Sequence, residues 1–448
     1  MAHHSRLIAI GECHGGSSVE PMRIVIIGAG GVGNALARIL ARRDFIEHVT
    51  ITDYSLERAN AAVDWIRRRH PESATRFSSA QVDASQASSV TGVAKSANAE
   101  VVINAVEPSF VQGVFQGAFD AGAHYLDMAM SLSSSHPTNP FRETGVKLGD
   151  WQFERASEWE ERGLLALVGM GVEPGLSDVF ARYASDYLFS SVDEFGVRDG
   201  ANLVVKDDAS NEIFAPSFSI WTTIEECLNP PVIYEKDKGW FTTEPFSEPE
   251  VFDFPGGIGP VECVNVEHEE VLLMPRFLDA KRVTFKYGLG EEFIGVLKTL
   301  NTLGLDKTSP VTVRSAPASD GSRPHVKVAP RDLVAAVLPD PATIGPQMTG
   351  VTCAGVWVTG TGKDGKPRSS YLYHLADNEW TMANYETQCV VWQTALAPAV
   401  ALELISNGVW SGSGVLSPEA FDAEPFLSLM SGGVESGGYG QEWGIQEK

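Results

Sequence analysis

Two hydrophobic periods alternate along the first 130 residues. Ile24–Ile27 is a continuous apolar run, as expected of a strand buried on both faces. It runs into Gly28-Ala29-Gly30-Gly31-Val32-Gly33, after which Val32, Leu36, Ile39 and Leu40 recur at helical spacing. A second β-rich run, Val49–Thr52, ends in Asp53. The pattern then repeats. Helices are predicted over Leu56–Arg69, Ser85–Ala97 and Val111–Ala121. Strands are predicted over Phe77–Val82 (followed by Asp83), Glu100–Ala105, and His124–Leu126 ending in Asp127. Alternating strand and helix signals predict an α/β fold, a doubly wound parallel sheet of Rossmann type.

The rhythm changes further on. Trp151–Arg162 is a strongly charged helical stretch with Trp151 and Trp159 turned inward, and Leu164–Val168 reads as a buried strand. Gly169-Met170-Gly171-Val172-Glu173-Pro174-Gly175 follows, introducing a helix over Ser177–Leu188. From Val192 to about Thr381 strands dominate, among them Val261–Val266, Arg282–Tyr287, Val351–Val358 and Ser369–His374. This predicts an α+β domain on a largely antiparallel sheet. Gln388–Asn407 is a last apolar helix and Phe421–Met430 a shorter terminal segment. The expected organisation is a disordered extension (residues 1–21), a Rossmann domain (22–175), an α+β domain (176–387), a C-terminal helical segment (388–430) and a flexible Gly/Ser-rich tail (431–448).

Length and charge narrow the function classes. A chain of 448 residues exceeds one ordinary core. A formal net charge of −24 argues against nucleic acid or an anionic membrane as partner and mildly favours a cationic substrate. Five scattered cysteines without CxxC spacing suggest neither a disulfide framework nor a zinc site, and no metal is expected. With no apolar run near the ~20 residues that span a bilayer and no signal-peptide core, a cytoplasmic location is expected.

The glycine segment carries specific chemistry. Strand, GxGxxG turn, helix, strand and an acid 20 positions after the last motif glycine form a dinucleotide-binding βαβ unit. Gly28 permits the turn, Gly30 lets the backbone approach a pyrophosphate, and Gly33 lets helix and strand pack closely. Gly31 and Val32 open the helix whose N-terminus attracts phosphate. Asp53 would accept bonds from the ribose hydroxyls and repel a 2′-phosphate, which favours NAD while leaving NADP possible.

The other candidates sit at strand ends and turns. Asp83 either meets the adenine or caps the next helix. Asn104, Ala105 and Val106 should flank the nicotinamide ribose. Glu107 either holds a cationic substrate nitrogen or is a solvated loop acid, and Asp127 ends the next strand at the same edge. Glu173, in its Gly- and Pro-bearing turn, is the preferred acidic site residue or else caps the helix at Ser177, where Asp178 is a first-turn charge. Arg198 could hold a substrate carboxylate, with Arg276 as an alternative. His268 is a candidate base, and Glu269 a ligand for a cationic substrate.

Gly28–Gly33, Asn104-Ala105-Val106, Tyr125-Leu126-Asp127 and the Gly169–Gly175 block together resemble the saccharopine dehydrogenase family. The segments Phe252-Asp253-Phe254-Pro255, His268-Glu269-Glu270, Ala335–Pro339, Lys363–Pro367, Gln388–Pro398 and Gly408-Val409-Trp410 are similar in order and spacing to its carboxynorspermidine dehydrogenase (synthase) branch. The chain departs from that branch in Met170 and Val172-Glu173, where the branch has Cys and Phe-Asp, and in Asp53-Tyr54-Ser55, where the branch carries an Arg. The resemblance implies a central domain for substrate binding and homodimerisation, with the C-terminal helix returning to the Rossmann domain. It also implies hydride transfer between NAD(P) and the C–N bond of an amino-acid-derived secondary amine or imine of the carboxynorspermidine or saccharopine type. The alternatives are oxidative deamination as in lysine 6-dehydrogenase, or a non-catalytic NAD-binding sensor or scaffold.

Overall fold

The computed structural model describes residues 21–317, 319 and 321–448. Apart from Pro21, the expected N-terminal extension lies outside the described residues, as does Cys13. Six strands form a wholly parallel sheet: β1 (Met22–Ile27), β2 (Ile46–Asp53), β3 (Phe77–Gln81), β4 (Val101–Asn104), β5 (His124–Asp127) and β6 (Leu165–Leu167). Their order is 6-5-4-1-2-3, so the chain reverses direction across the sheet between β1 and β4. A crevice at the strands' carboxyl ends opens there, the place where doubly wound sheets bind ligands. β1 is almost wholly buried because helices cover both faces. Helix α1 (Gly31–Leu40) follows its glycine turn and buries Leu36, Ile39 and Leu40.

A seventh parallel strand, Gly414–Leu416, pairs with β6, so the C-terminal segment contributes a strand to the Rossmann sheet as well as helices. Three residues in a Gly- and Ser-rich stretch carry too little periodicity to announce a strand. The charged stretch after Gly149 forms two short helices, Asp150–Phe153 and Ala156–Glu161, with Trp159 buried.

The second sheet has nine strands. At its centre, β7 (Phe189–Ala201) runs parallel to Ala280–Tyr287 on one side and antiparallel to Val351–Gly362 on the other. The remaining pairings are antiparallel, including Val351–Gly362 with Pro367–Asp377. The long apolar helix Cys389–Ser406 is buried along most of its length, so its composition reflects a core helix rather than a membrane span. It packs on α1, and Arg43 just beyond α1 is ion-paired with Glu403 at 2.7 Å.

The tail corrects the sequence expectation of flexibility over 431–448. Trp443–Glu447 adds antiparallel to Pro367–Asp377. Tyr439 is buried, and its hydroxyl donates to the Ala399 carbonyl (3.0 Å) and to Glu403 (2.9 Å). Arg43 donates to the carbonyls of Gly437 and Gly438. Composition suggested mobility, but a few aromatic anchors and a receptive sheet edge overrode it.

Candidate active site

A cleft of about 810 Å³ joins the two sheets. One wall is the glycine turn with Asp53 and Asn104–Val106; facing it stand Glu173, Asp199, Glu226, Glu269 and Tyr287. The two halves of the chain therefore meet at one site.

The glycine turn suits a dinucleotide. Gly28 has φ +107°, and a Cβ there would lie 2.6 Å from the Ala105 carbonyl oxygen. At Gly33 a Cβ would lie 1.9 Å from the carbonyl oxygen of Gly28, so helix and turn touch through glycine alone. At Gly30 no protein atom lies within 4 Å of such a Cβ, and no side chain caps the helix there. The N-terminus of α1 thus faces open cleft space with its positive dipole end, as a pyrophosphate requires. Asp53 is held by N–H donors, Ala29 to Oδ2 (3.0 Å) and Ser55 to Oδ1 (2.9 Å). Arg58, largely exposed, lines the cleft with its guanidinium 3.9 Å from Oδ2. Asn104 donates to Tyr125 Oη (3.1 Å) and accepts from the Val106 N–H (3.3 Å), which shapes the end of β4.

The facing wall is a network of acids around one histidine. His268 Nδ1 lies 2.5 Å from Glu270 Oε2, and its Nε2 lies 3.1 Å from the Tyr287 hydroxyl. That hydroxyl donates to Glu226 at 3.3 Å. The imidazole stacks on Phe285 with ring centres 3.8 Å apart. Burial by itself would lower the His268 pKa, but the charge and hydrogen bond of Glu270, then Glu226 and Glu269, raise it to about 10. Burial pushes Glu226 up to about 8, against the pull of His268. Glu269, raised chiefly by burial, accepts the Met130 N–H at 3.1 Å. His268, Glu269 and Glu270 bring possible metal-ligand atoms within 4.8 Å of one another, but both ring nitrogens of His268 are already engaged.

Glu173 comes from the turn after β6. Its Oε1 accepts the N–H of Gly355 at 3.1 Å, and its Oε2 is buried with no N–H or O–H donor. The carboxyl beside it is that of Asp199, on β7, and burial, followed by that charge, raises the Glu173 pKa well above the carboxylate range. Asp178, not Glu173, closes the start of helix Leu176–Tyr183, by accepting the Gly175 N–H at 2.7 Å.

Five of the acid, base and arginine candidates fall outside the cleft lining: Asp127, Arg198, Arg276, Asp83 and His268. Asp127 is fully buried and accepts from Gly169 N–H (2.7 Å), Gln152 (2.7 Å) and Tyr125 (2.9 Å). Its role is to tie β5 to the glycine-rich turn, and burial lifts its pKa to about 7. Arg198 is buried with Glu250 at 2.5 Å and Thr284 at 3.2 Å. Side chains alternate faces along a strand, so β7 turns Asp199 into the cleft and Arg198 away from it. Arg276 pairs with Asp150 at 3.5 Å and lies over the Phe153 ring. Asp83 accepts the N–H and hydroxyl of Ser85 in a turn before the helix Ala87–Ser96, whose N-cap is Gln86 with no side-chain cap bond, so Asp83 neither lines the cleft nor caps the helix. Glu107 lines the cleft from an exposed loop. His268 stands behind the wall, reaching the cleft through Tyr287.

Asp199 and Glu226 were missed. Period-2 alternation at Arg198 was the available signal for Asp199. Glu226 lies on a short helix, Ile220–Leu228, whose approach to the cleft is purely tertiary.

Relatives agree with this architecture. Residues 24–167 match the saccharopine dehydrogenase NADP binding domain, and residues 171–433 the saccharopine dehydrogenase C-terminal domain. The chain is 30% identical to carboxynorspermidine synthase of Vibrio alginolyticus, over 95% of this chain and 97% of that protein. It is 25% identical to carboxyaminopropylagmatine dehydrogenase of a Synechocystis species, over 91% and 95% respectively. In fold it is similar to apo saccharopine dehydrogenase (L-Glu forming) of Saccharomyces cerevisiae, with a TM-score of 0.60 at 14% identity, covering 95% of this chain and 100% of that one. A dinucleotide cradle opening on an acid-lined cleft, on this two-domain frame, marks an NAD(P)-dependent oxidoreductase, and the chain belongs to the saccharopine dehydrogenase family.

Proposed function

We propose that this enzyme interconverts a secondary amine and its imine in a substrate that carries at least one further ammonium group, as in a carboxylated polyamine. The single observation behind this reading is the shared cleft, in which the dinucleotide turn faces Glu173, Asp199, Glu226 and Glu269. A wall of acids of that kind suits a multiply cationic ligand, since burial holds several of them protonated in the free protein and an ammonium leaving water draws the opposing charge from them on binding. The relatives named for carboxynorspermidine and carboxyaminopropylagmatine act on ligands of that description by their names.

When bound, the nicotinamide supplies or accepts the hydride. The chain's own residues do the rest. Gly28–Gly33 and the α1 N-terminus would hold the pyrophosphate, and Asp53 the ribose hydroxyls. Asn104–Val106 would border the nicotinamide ribose. Glu226 and Glu269 would hold the distal ammonium and replace its water shell. NAD is the proposed preferred cofactor because Asp53 stands where a 2′-phosphate would bring like charge, with Arg58 beside it as the only compensating cation seen along the cleft among the described residues. A homodimer is part of the proposal, supported by the family resemblance and open to sedimentation velocity.

The test is NAD(P)H absorbance across carboxynorspermidine, carboxyspermidine, saccharopine and lysine. Turnover of the polyamine acids well above saccharopine is expected. NADH and ammonia from lysine would replace this reading with oxidative deamination.

A further inference from the structure

We propose that Asp199 is the group that exchanges the proton of the substrate nitrogen, with Glu173 as its proton-holding partner. This rests on the C–N reaction proposed above and deepens it.

The argument begins with an orphaned atom. Glu173 Oε1 is pinned by the Gly355 N–H, while Oε2 is buried without any N–H or O–H donor. A buried carboxylate oxygen left bare is costly, and two adjacent bare carboxylates more so. The Asp199 carboxyl is the neighbour, so a single proton held between the two satisfies both. The surroundings decide which carboxyl keeps it. Asp199 faces the positive field of His268 and receives a bond from its own neighbour, the Gly200 N–H. Both carboxyls face the negative charge of Glu270, and His268, whose field acts on Asp199, tips the charge to that side. The pair therefore rests as neutral Glu173 donating to an Asp199 carboxylate. The other titratable groups facing it are Cys353, Tyr371 and Tyr287, all protonated at neutral pH, and Cys263. Burial is the main cause raising Asp199 to about 6, within reach of a working base.

Both carboxyls line the cleft that holds the dinucleotide turn. In the oxidative direction the secondary ammonium gives one N–H proton to Asp199. The nitrogen lone pair so freed forms the C=N bond as hydride leaves the adjacent carbon, yielding an iminium. In the reductive direction the neutral amine left after hydride addition takes that proton back from Asp199. Glu173 acts through Asp199, stabilising its charge by a hydrogen bond, and is a positioning residue.

The experiment compares wild type, Asp199→Asn and Glu173→Gln. NAD affinity, measured by calorimetry, is expected to stay within about twofold in both variants. Amine oxidation by Asp199→Asn is expected to fall at least about 100-fold in kcat and to lose the acid limb of kcat/KM expected of wild type near pH 6. Glu173→Gln should lower kcat less than Asp199→Asn does and move that limb. Infrared difference spectra of the protein without substrate should show a protonated carboxyl band at pH 7.5 that Glu173→Gln removes and Asp199→Asn shifts. Wild-type kcat and limb in Asp199→Asn, or a Glu173→Gln spectrum lacking no carboxyl band, would overturn the proposal. Failure of wild type to oxidise any amine would instead defeat the functional reading, and the infrared comparison would still decide the carboxyl pair.

Discussion

The Asp53 carboxylate already accepts two backbone N–H bonds, from Ala29 and Ser55, which leaves lone pairs on each oxygen for ribose hydroxyls. Asp53→Ala should therefore weaken NAD by roughly tenfold, about 1.4 kcal/mol, and reduce discrimination against NADP. Unchanged cofactor preference in titrations with both nucleotides would sink this assignment. His268 makes a second prediction, on stability. Its folded pKa, about 10, lies above its ordinary 6.5, so the imidazolium–Glu270 pairing stabilises the fold. That contribution is fully present below about pH 6.5 and is lost as pH rises through about 10. The melting temperature of wild type should thus fall more steeply between pH 7 and 10 than that of His268→Gln. Parallel curves would show that the pairing stabilises nothing.

At the scale of elements, the glycine turn and the tail make opposite points. Gly33→Ala forces a Cβ onto the Gly28 carbonyl, 1.9 Å away, so β1 and α1 must separate; both melting temperature and NAD affinity should drop. Gly30→Ala meets no protein atom within 4 Å, and its new methyl points into the space a pyrophosphate would fill. Its melting temperature should match wild type while NAD affinity falls at least about tenfold, which is about 1.4 kcal/mol. The turn was legible in sequence because its residues are contiguous and each has a local backbone task. The tail was not, because Tyr439 and Trp443 derive their roles from surfaces far away in the chain. Trp443 packs against Phe180 and Tyr183, and Tyr439 against Arg43. Tyr439→Ala should cost about 3 kcal/mol in denaturant unfolding, as for a buried aromatic truncated in a core. A loss under about 0.5 kcal/mol would match a surface change instead.

Over the whole molecule, a net charge of −24 surrounds a cleft walled by carboxylates. Such a field concentrates cations and is screened within about 10 Å at 0.1 M salt. Raising ionic strength from about 0.05 to 0.5 M should lower kcat/KM for a polyamine acid severalfold, with little effect on kcat. A salt-independent kcat/KM would remove electrostatic attraction from the account. The scale of the molecule also explains four of the corrected site residues. Asp127, Arg198, Arg276 and Asp83 all have chemistry suited to a site, and three of them lie at or near a strand end as sequence reasoning required. Each is instead engaged within the protein, by Gly169, Glu250, Asp150 and Ser85 respectively.

Sequence alone determined the alternation of strands and helices, the glycine cradle, Asp53 and the placement of Asn104–Val106, because these depend on local periodicity and on backbone geometry that few residues permit. Tertiary structure alone decided which carboxylates gather on the wall facing the glycine turn. Glu173 and Asp199 lie 26 positions apart, and Glu226, Glu269 and Tyr287 join them from three further segments. A side chain's chemistry is written in its residue type, but its partner, and with it its charge state, exists only once separate elements have packed together.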